Sequence, residues 1–159
     1  MSKNNSLFSN VLKGAGIAIG AAGAIYGGYL LKKTLDKNGI TVKIKTIASS
    51  LEDSNKATID FKDIVKEDWD SMFIFPTYTS YETIYDALGF EWDEVYKTGI
   101  SYRDDITLLV FTRGDKVVRY VEYPKAYGDF SSLEKDVYED GTFELYKNNS
   151  NKILVKESF

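Results

Sequence analysis

Apolar positions change their spacing several times along the chain, and each spacing predicts a different element. The stretch "ITVKIKTI" alternates Ile40, Val42 and Ile44 with polar residues, which is the period-two pattern of a half-buried strand. The stretch "ATIDF" at 57–61 is expected to pair with it, so that the domain would begin with a hairpin. The stretch "SMFIFP" at 71–76 predicts a buried strand that stops at proline, because proline cannot donate to a strand ladder.

One helix is predicted between the strands. Its apolar residues recur at helical spacing, namely Tyr81, Ile84, Tyr85 and Leu88. Thr79, Ser80 and Glu82 form an N-terminal capping signal, and Gly89 stands where a left-handed C-terminal cap belongs. We therefore expect the helix to end at Gly89.

Two further hairpins are predicted in the C-terminal half. The β-rich runs 106–112 and 116–123 flank the turn-forming sequence Arg-Gly-Asp, and the runs 142–147 and 152–157 flank an Asn-rich turn. The tract 126–140 fits either a helical turn or a loop. Six or seven strands with one or two short helices give an α+β fold with a mostly antiparallel sheet.

A glycine-rich stretch precedes this domain. Residues 14–31 carry no formal charge over 18 positions, which corresponds to about 27 Å of helix, just enough to cross a bilayer. Small residues recur every fourth position and would form a face for close helix packing: Gly16, Gly20, Ala24 and Gly28. A retained transmembrane helix is the favoured interpretation, and a cleaved signal peptide or a glycine-rich soluble tail are the alternatives.

The predicted organisation has four parts. A polar tail covers residues 1–13, a glycine-rich transmembrane anchor residues 14–31, a linker residues 32–39 and an α+β domain residues 40–159. Lysines flank the anchor almost equally on both sides, so the positive-inside rule leaves its orientation open and slightly favours a C-terminal domain inside.

Composition excludes several functions. The chain has no cysteine and no histidine, which removes disulfides, cysteine-based zinc sites and Ser-His-Asp catalysis. We expect no metal and no cofactor. Residues 34–159 carry 16 basic and 24 acidic side chains, a net charge of −8, so nucleic acid is a poor partner and a protein with a basic surface is a better one.

The strongest candidate for function is the aromatic and acidic segment 69–96, which holds nine of the chain's 23 aromatic residues. Some of these rings must belong to the core, and the alternative interpretation is that the rest pack inside as well. Amphipathic aromatics beside carboxylates are nevertheless typical interface anchors. The residues expected to bind a partner are Trp69, Asp70, Tyr78, Tyr81, Tyr85, Trp92, Asp93 and Glu94.

A hydrolase is the alternative. Asp68 with Asp70, or Asp93 with Glu94, would supply the two carboxylates of a glycoside hydrolase acting on cell-envelope polymer. Adjacent acids on a strand point to opposite faces, however, and charge runs are usually solvated surface. We therefore expect a protein that is not an enzyme.

The segment "DWDSMFIFPTYTSYETIYDALGFEW", followed by "LLVFTRGDKVVRYVEYP", resembles small lipoproteins and membrane-anchored proteins of low-GC Gram-positive bacteria. The resemblance covers about residues 67–130 and implies a domain that faces outward from the cell membrane. This chain lacks the lipobox cysteine of the lipoprotein members, so the glycine-rich segment would replace the lipid. The expected function is a single-pass, membrane-anchored protein-binding module, such as an immunity or inhibitor protein or an accessory of an envelope complex.

Overall fold

The structure is a computed structural model that describes residues 39–158. The chain from Gly39 onward forms one compact unit. The predicted anchor at 14–31, including its packing face, lies outside the described residues, as does the tail before it. Within residues 39–158, no helix combines the length and the apolar character that a membrane span needs.

Seven strands form two antiparallel sheets within the described part of the chain. The strands are β1 (Lys56–Asp60), β2 (Ser71–Phe75), β3 (Ile106–Arg113), β4 (Lys116–Pro124), β5 (Val137–Tyr138), β6 (Thr142–Lys147) and β7 (Ile153–Glu157). One sheet has the order β1-β6-β7 and the other has the order β4-β3-β2-β5. Every pair of neighbouring strands is antiparallel, which confirms the predicted α+β class and antiparallel pairing, although the strands form two sheets and not one.

The helices are short. Residues 39–49 are helical (α1), and two further α-helices are α2 (Phe61–Ile64) and α3 (Tyr81–Leu88). Single 3₁₀ turns cover Ser50–Glu52, Val95–Lys97 and Lys125–Tyr127.

The predicted strand at 40–47 is wrong, because this segment belongs to α1. Ile40, Ile44 and Ala48 are buried at a spacing of four residues, whereas Val42, which the strand pattern required on the same face, is 62% exposed. A helix thus buries more of the apolar side chains than a strand would. The predicted N-terminal hairpin is therefore also wrong, and β1 pairs instead with β6.

Most other local predictions are confirmed. The hydroxyl of Ser80 accepts a hydrogen bond from the Thr83 N–H at 3.2 Å and caps α3. Gly89 ends this helix with φ 80°, a left-handed conformation that glycine adopts without steric cost. β2 stops at Phe75, directly before Pro76, and the β3–β4 and β6–β7 hairpins are present. The tract left open at 126–140 contains a 3₁₀ end, loops and the short β5.

The four-stranded sheet is covered on both faces, so seven of the eight residues of β3 are buried. One face packs against the three-stranded sheet and α1 in a larger core of 19 buried residues, which include Ile44, Phe61, Trp69, Phe111 and Phe143. The other face packs against α3 and the segment after it in a smaller core of ten buried residues, which include Ile84, Trp92, Ile100, Val110 and Tyr120. The two faces of this sheet therefore support two different parts of the protein surface.

Candidate functional site

The structure divides the eight predicted binding residues between the two faces of the four-stranded sheet. Trp69 belongs to the larger core and Trp92 to the smaller core, and they are only 7% and 8% exposed. Trp69 packs edge-on against Phe111 with ring centroids 5.2 Å apart, and Trp92 packs likewise against Tyr120 at 5.1 Å. Both tryptophans thus contribute packing, and neither presents its ring to solvent.

The tyrosines among the predicted residues lie together. Tyr81 and Tyr85 project from α3, and Tyr96 lies in the 3₁₀ turn Val95–Lys97. The rings of Tyr81 and Tyr96 meet edge to face with centroids 5.0 Å apart, and the hydroxyl of Tyr85 is hydrogen-bonded to Tyr96. Tyr96, 66% exposed, therefore joins the two tyrosines of the helix.

The loop before β3 carries Tyr102, and a hydrogen bond connects this loop to the segment that carries Tyr78. The Tyr78 N–H donates to the Ile100 carbonyl at 2.8 Å, and the Ser101 hydroxyl donates to the Tyr81 hydroxyl at 3.1 Å. Tyr102 is the next residue after Ser101. Tyr78 and Tyr102 are 62% and 72% exposed, which makes them two of the most exposed large apolar side chains among residues 39–158.

We call this region the tyrosine surface, and it consists of Tyr78, Tyr81, Tyr85, Tyr96 and Tyr102.

The backbone at Tyr78 is in an unfavourable conformation. Its φ is 64°, in the left-handed region that bulky residues rarely adopt. Such a conformation costs on the order of 1 kcal/mol or more and persists where the surrounding structure holds it. Here the hydrogen bond to Ile100 holds it, and the consequence is that the Tyr78 side chain stays exposed on the tyrosine surface.

The tyrosine surface is strongly acidic. Residues 76–96 contain five carboxylates and no lysine or arginine. Glu94 is paired with Lys97 at 3.4 Å, whereas none of the other four has an ion-pair partner among residues 39–158, namely Glu82, Asp86, Glu91 and Asp93. The hydrogen bond to Tyr96, desolvation and the charges of Glu91 and Asp93 together raise the pKa of Tyr85 to about 12. The field here favours protons and other cations.

Sequence reasoning missed Tyr96 and Tyr102. Tyr102 has polar neighbours, Ser101 and Arg103, and so meets the criterion that selected Tyr78, but it lies beyond the segment 69–96 in which candidates were sought. Tyr96 lies within that segment next to an apolar residue, Val95, so its neighbours predict a core position. Only the edge-to-face contact with Tyr81 identifies Tyr96 as part of the surface.

Trp69 and Asp70 lie instead at a charged cleft on the larger-core side. This cleft has a volume of about 530 Å³ and is formed by the segment before β2 and the β3–β4 turn. Its lining residues are Lys62, Val65, Lys66, Glu67, Asp68, Trp69, Asp70 and Arg113. The predicted set therefore does not form one site, because Trp69 and Asp70 are separated from the tyrosines by the sheet.

Three of the four carboxylates of the hydrolase alternative have partners in the fold. Asp70 Oδ2 accepts a hydrogen bond from the Gly114 N–H at 2.9 Å, and so connects the segment before β2 to the β3–β4 turn. Asp68 Oδ2 lies 3.3 Å from Arg113 Nη1. On the other side of the sheet, Asp93 is exposed and Glu94 is half-buried beside Lys97. These contacts explain Asp68, Asp70 and Glu94 as parts of turns and ion pairs, whereas Asp93 has no ion-pair partner within residues 39–158.

No group of three or more acidic, histidine or cysteine side chains within residues 39–158 is arranged to hold a metal ion. Comparison of the chain with protein-family models, with curated protein sequences and with solved structures gives no match. Function must therefore be argued from the tyrosine surface and the charged cleft themselves.

Proposed function

We propose that this chain is a membrane-anchored protein-binding module and that the tyrosine surface is where its partner binds. The observation that carries the proposal is the cluster of three tyrosines, each more than 60% exposed, around the half-buried Tyr81 and Tyr85. Single exposed aromatics are ordinary on a protein surface, but several on segments that contact one another are characteristic of interaction sites. Tyrosine is also enriched among the residues that dominate binding energy.

The charge around the tyrosines indicates the chemistry of the partner. Four unpaired carboxylates and the absence of any basic residue in 76–96 would repel an acidic protein and accelerate association with a basic one. Tyrosine rings add to this preference, because lysine and arginine side chains bind favourably over aromatic faces. The partner we propose is accordingly a protein with a basic patch.

The segment at 14–31 would hold this module at a membrane, with the domain on the outer side as the resemblance to Gram-positive membrane-anchored proteins implies. A module of this kind would serve as an immunity or inhibitor protein, or as an accessory of an envelope complex. Protease treatment of intact cells tests the location, since an outward-facing C-terminal domain should be digested while the membrane stays closed.

The binding proposal is tested by mutating the two most exposed tyrosines. The double variant Tyr96→Ser/Tyr102→Ser removes two rings that contribute little to the core, so the domain should fold normally. We expect recovery of the partner with the full chain to fall at least tenfold, because truncation of a central aromatic anchor costs about 2 kcal/mol or more.

The matched control is Val42→Ser/Val137→Ser, which removes two exposed apolar side chains outside the tyrosine surface. This control should recover the partner as the unmodified chain does. Equal recovery with both double variants would contradict the proposal, provided that circular dichroism shows both to be folded. Reversal of charge in Glu91→Lys/Asp93→Lys should weaken recovery as well, and a stronger effect at low salt would identify a basic partner.

A further inference from the structure

The strand β4 lies at the edge of the four-stranded sheet and pairs only with β3 among residues 39–158. With nine residues it is the longest edge strand described, since β1 and β7 have five each and β5 has two. The outer side of β7 is also bridged by Asp129. An edge strand offers a row of main-chain donors and acceptors to an extended chain.

The second half of β4 is the better place for such a chain. The first half carries Lys116, Arg119 and an irregular pairing with β3, which are features that protect sheet edges. Residues 120–124 keep a regular register with β3. The Lys125 N–H donates to the Asp105 carbonyl at 2.9 Å, and bonded pairs alternate along an antiparallel ladder, so the main-chain N–H of Glu122 points away from β3.

This half of β4 adjoins the tyrosine surface. The Glu122 carboxylate accepts the Gly99 N–H at 2.6 Å and so holds the loop that carries Tyr102 against the strand. The Trp92 ring packs on Tyr120 with centroids 5.1 Å apart. A chain bound along β4 would therefore meet the tyrosine surface as well.

The charge beside this half of β4 is negative. Glu91 and Asp93 are exposed on either side of Trp92, and Glu122 adds a third carboxylate. Arg103 lies 4.0 Å from Glu122 and compensates one of these charges, so acid remains in excess.

The two faces of β4 determine which side chains an added strand would carry. Tyr120 belongs to the smaller core, and Glu122 follows on the same face, whereas Val121 and Tyr123 belong to the larger core. The side chains of an added strand would alternate between these two faces, one acidic and one apolar.

We propose that the partner binds by adding an extended segment to β4, in which basic residues beside the tyrosine surface alternate with apolar residues. This inference rests on the proposed function and names the form of its partner. Main-chain hydrogen bonds to β4 hold the segment, and the carboxylates and tyrosine rings select basic side chains.

The probe is a synthetic peptide in which lysine alternates with valine, added to the ¹⁵N-labelled full chain in non-ionic detergent. We expect it to shift the Glu122 amide resonance saturably and to slow hydrogen exchange of this amide at least about tenfold, because a hydrogen-bonded amide exchanges only when the bond opens. Thr58 is the internal control. Its N–H points outward from the edge strand β1, since the Phe61 N–H donates to the Gly141 carbonyl and bonded pairs alternate from there, and its exchange should not change.

Two control peptides separate main-chain bonding from charge. The same peptide N-methylated at every residue keeps its side chains but cannot donate main-chain hydrogen bonds, and a peptide that alternates glutamate with valine reverses the charge. Neither should bind.

The variant Glu91→Gln/Asp93→Asn should raise the half-saturation concentration at least about threefold, since two favourable charges are lost. Glu134→Gln/Asp136→Asn is the matched control, because it removes two exposed acids of the same spacing beside β5, at the opposite edge of the sheet. It should bind the peptide as the unmodified chain does.

The inference is overturned if the lysine–valine peptide gives no saturable shift at Glu122, if the N-methylated peptide binds equally well, or if Thr58 is protected to the same degree. The proposed function stands or fails separately, through the recovery of the partner by Tyr96→Ser/Tyr102→Ser, because that measurement does not depend on β4.

Discussion

The tyrosine surface and the charged cleft both combine aromatic residues with carboxylates, but only the cleft also contains basic residues. Each combines aromatics with several carboxylates, and each lies at the end of a β-strand of the same sheet. In the cleft, the aromatic residue is buried and each acid has an ion-pair or hydrogen-bond partner. On the tyrosine surface, the rings are exposed and four acids have no ion-pair partner among residues 39–158. The basic residues of the cleft and the burial of its ring therefore account for the difference between the two regions.

The two regions also rest on cores of different size. The larger core joins two sheets and α1 through 19 buried residues, whereas the smaller core holds α3 and its following segment through ten. Sites on a small, loop-rich layer open locally more easily than sites on a large core. We therefore expect the tyrosine surface to be the more adaptable of the two.

The largest expected effect comes from the tryptophans, one beneath each region. Trp69→Ala and Trp92→Ala should each lower the free energy of unfolding by about 3–5 kcal/mol, because both remove a large buried ring and leave a cavity. Urea unfolding followed by circular dichroism measures this loss. Tyr102→Ala is the control and should change the free energy of unfolding by no more than about 0.5 kcal/mol, since its ring is exposed.

If Trp92→Ala were as stable as the unmodified chain, Trp92 would not contribute to the smaller core. It would then be a surface anchor, as the sequence pattern predicts.

A second comparison uses two glycines that face different neighbours. A Cβ at Gly141 would lie 2.9 Å from the Trp69 ring and 3.0 Å from Phe61 Cβ, whereas one at Gly99 would lie only 2.5 Å from Arg103 Cδ. Arg103 is a flexible, partly exposed side chain and can move away, but the packed ring and the backbone-attached carbon cannot. Gly141→Ala should therefore cost about 1–3 kcal/mol.

Gly99→Ala should cost less than about 1 kcal/mol even though its contact is the shorter one, because it displaces mainly the partly exposed Arg103 side chain and its ion pairs with Asp105 and Glu122. Thermal unfolding of the two variants side by side measures the difference. The reverse order of stability would show that the tyrosine side is packed more rigidly than the cleft side.

The sequence predicts the fold well where local signals are strong. Ser80 and Gly89 delimit α3 by capping chemistry, and Gly114 and Asp115 define the β3–β4 turn. The prediction fails at α1, where Ile40, Val42 and Ile44 alternate with polar residues as in a strand. This stretch is too short to show the helical spacing, which becomes visible only when Ala48 and Leu51 are included. Hydrophobic periodicity over one or two turns does not separate helix from strand.

The candidate site was predicted less well, since local sequence does not report long-range contacts. Trp69 has acidic neighbours on both sides and still lies in the core, where Gly141 leaves room for its ring. Tyr96 is exposed although Val95 beside it is buried. No pattern in the sequence places Lys62 over Trp69 or joins Asp70 to a turn 44 residues away.

A smaller effect is expected from Asp70, which the hydrolase alternative would make catalytic. Asp70→Ala should lower the free energy of unfolding by about 1 kcal/mol, because the Gly114 N–H loses its acceptor at the β3–β4 turn. Asp115→Ala, in the same turn, is the control and should have little effect on stability. If Asp70→Ala is as stable as the control, the hydrogen bond is not what holds the turn to the cleft.

The smallest expected effect is a change in the pKa of Tyr85 on the tyrosine surface. Tyr96→Phe removes the hydrogen-bond partner of Tyr85, so the pKa of Tyr85 should fall from about 12 part of the way towards its ordinary value of 10.0, since desolvation and the charges of Glu91 and Asp93 remain. Titration of ¹³C-labelled tyrosine by NMR measures this pKa. Tyr78→Phe is the control and should leave it unchanged.

The sign of the linked stability change follows from the direction of the shift. A tyrosine with a raised pKa binds its proton more tightly in the folded chain, so its contribution to stability is complete below pH 10 and is lost as the pH rises towards 12. In Tyr96→Phe this loss should be smaller, because the folded and unfolded pKa values are closer. A pKa of Tyr85 that stays near 12 in the variant would mean that the acidic field, and not the contact between the two tyrosines, governs the chemistry of the tyrosine surface.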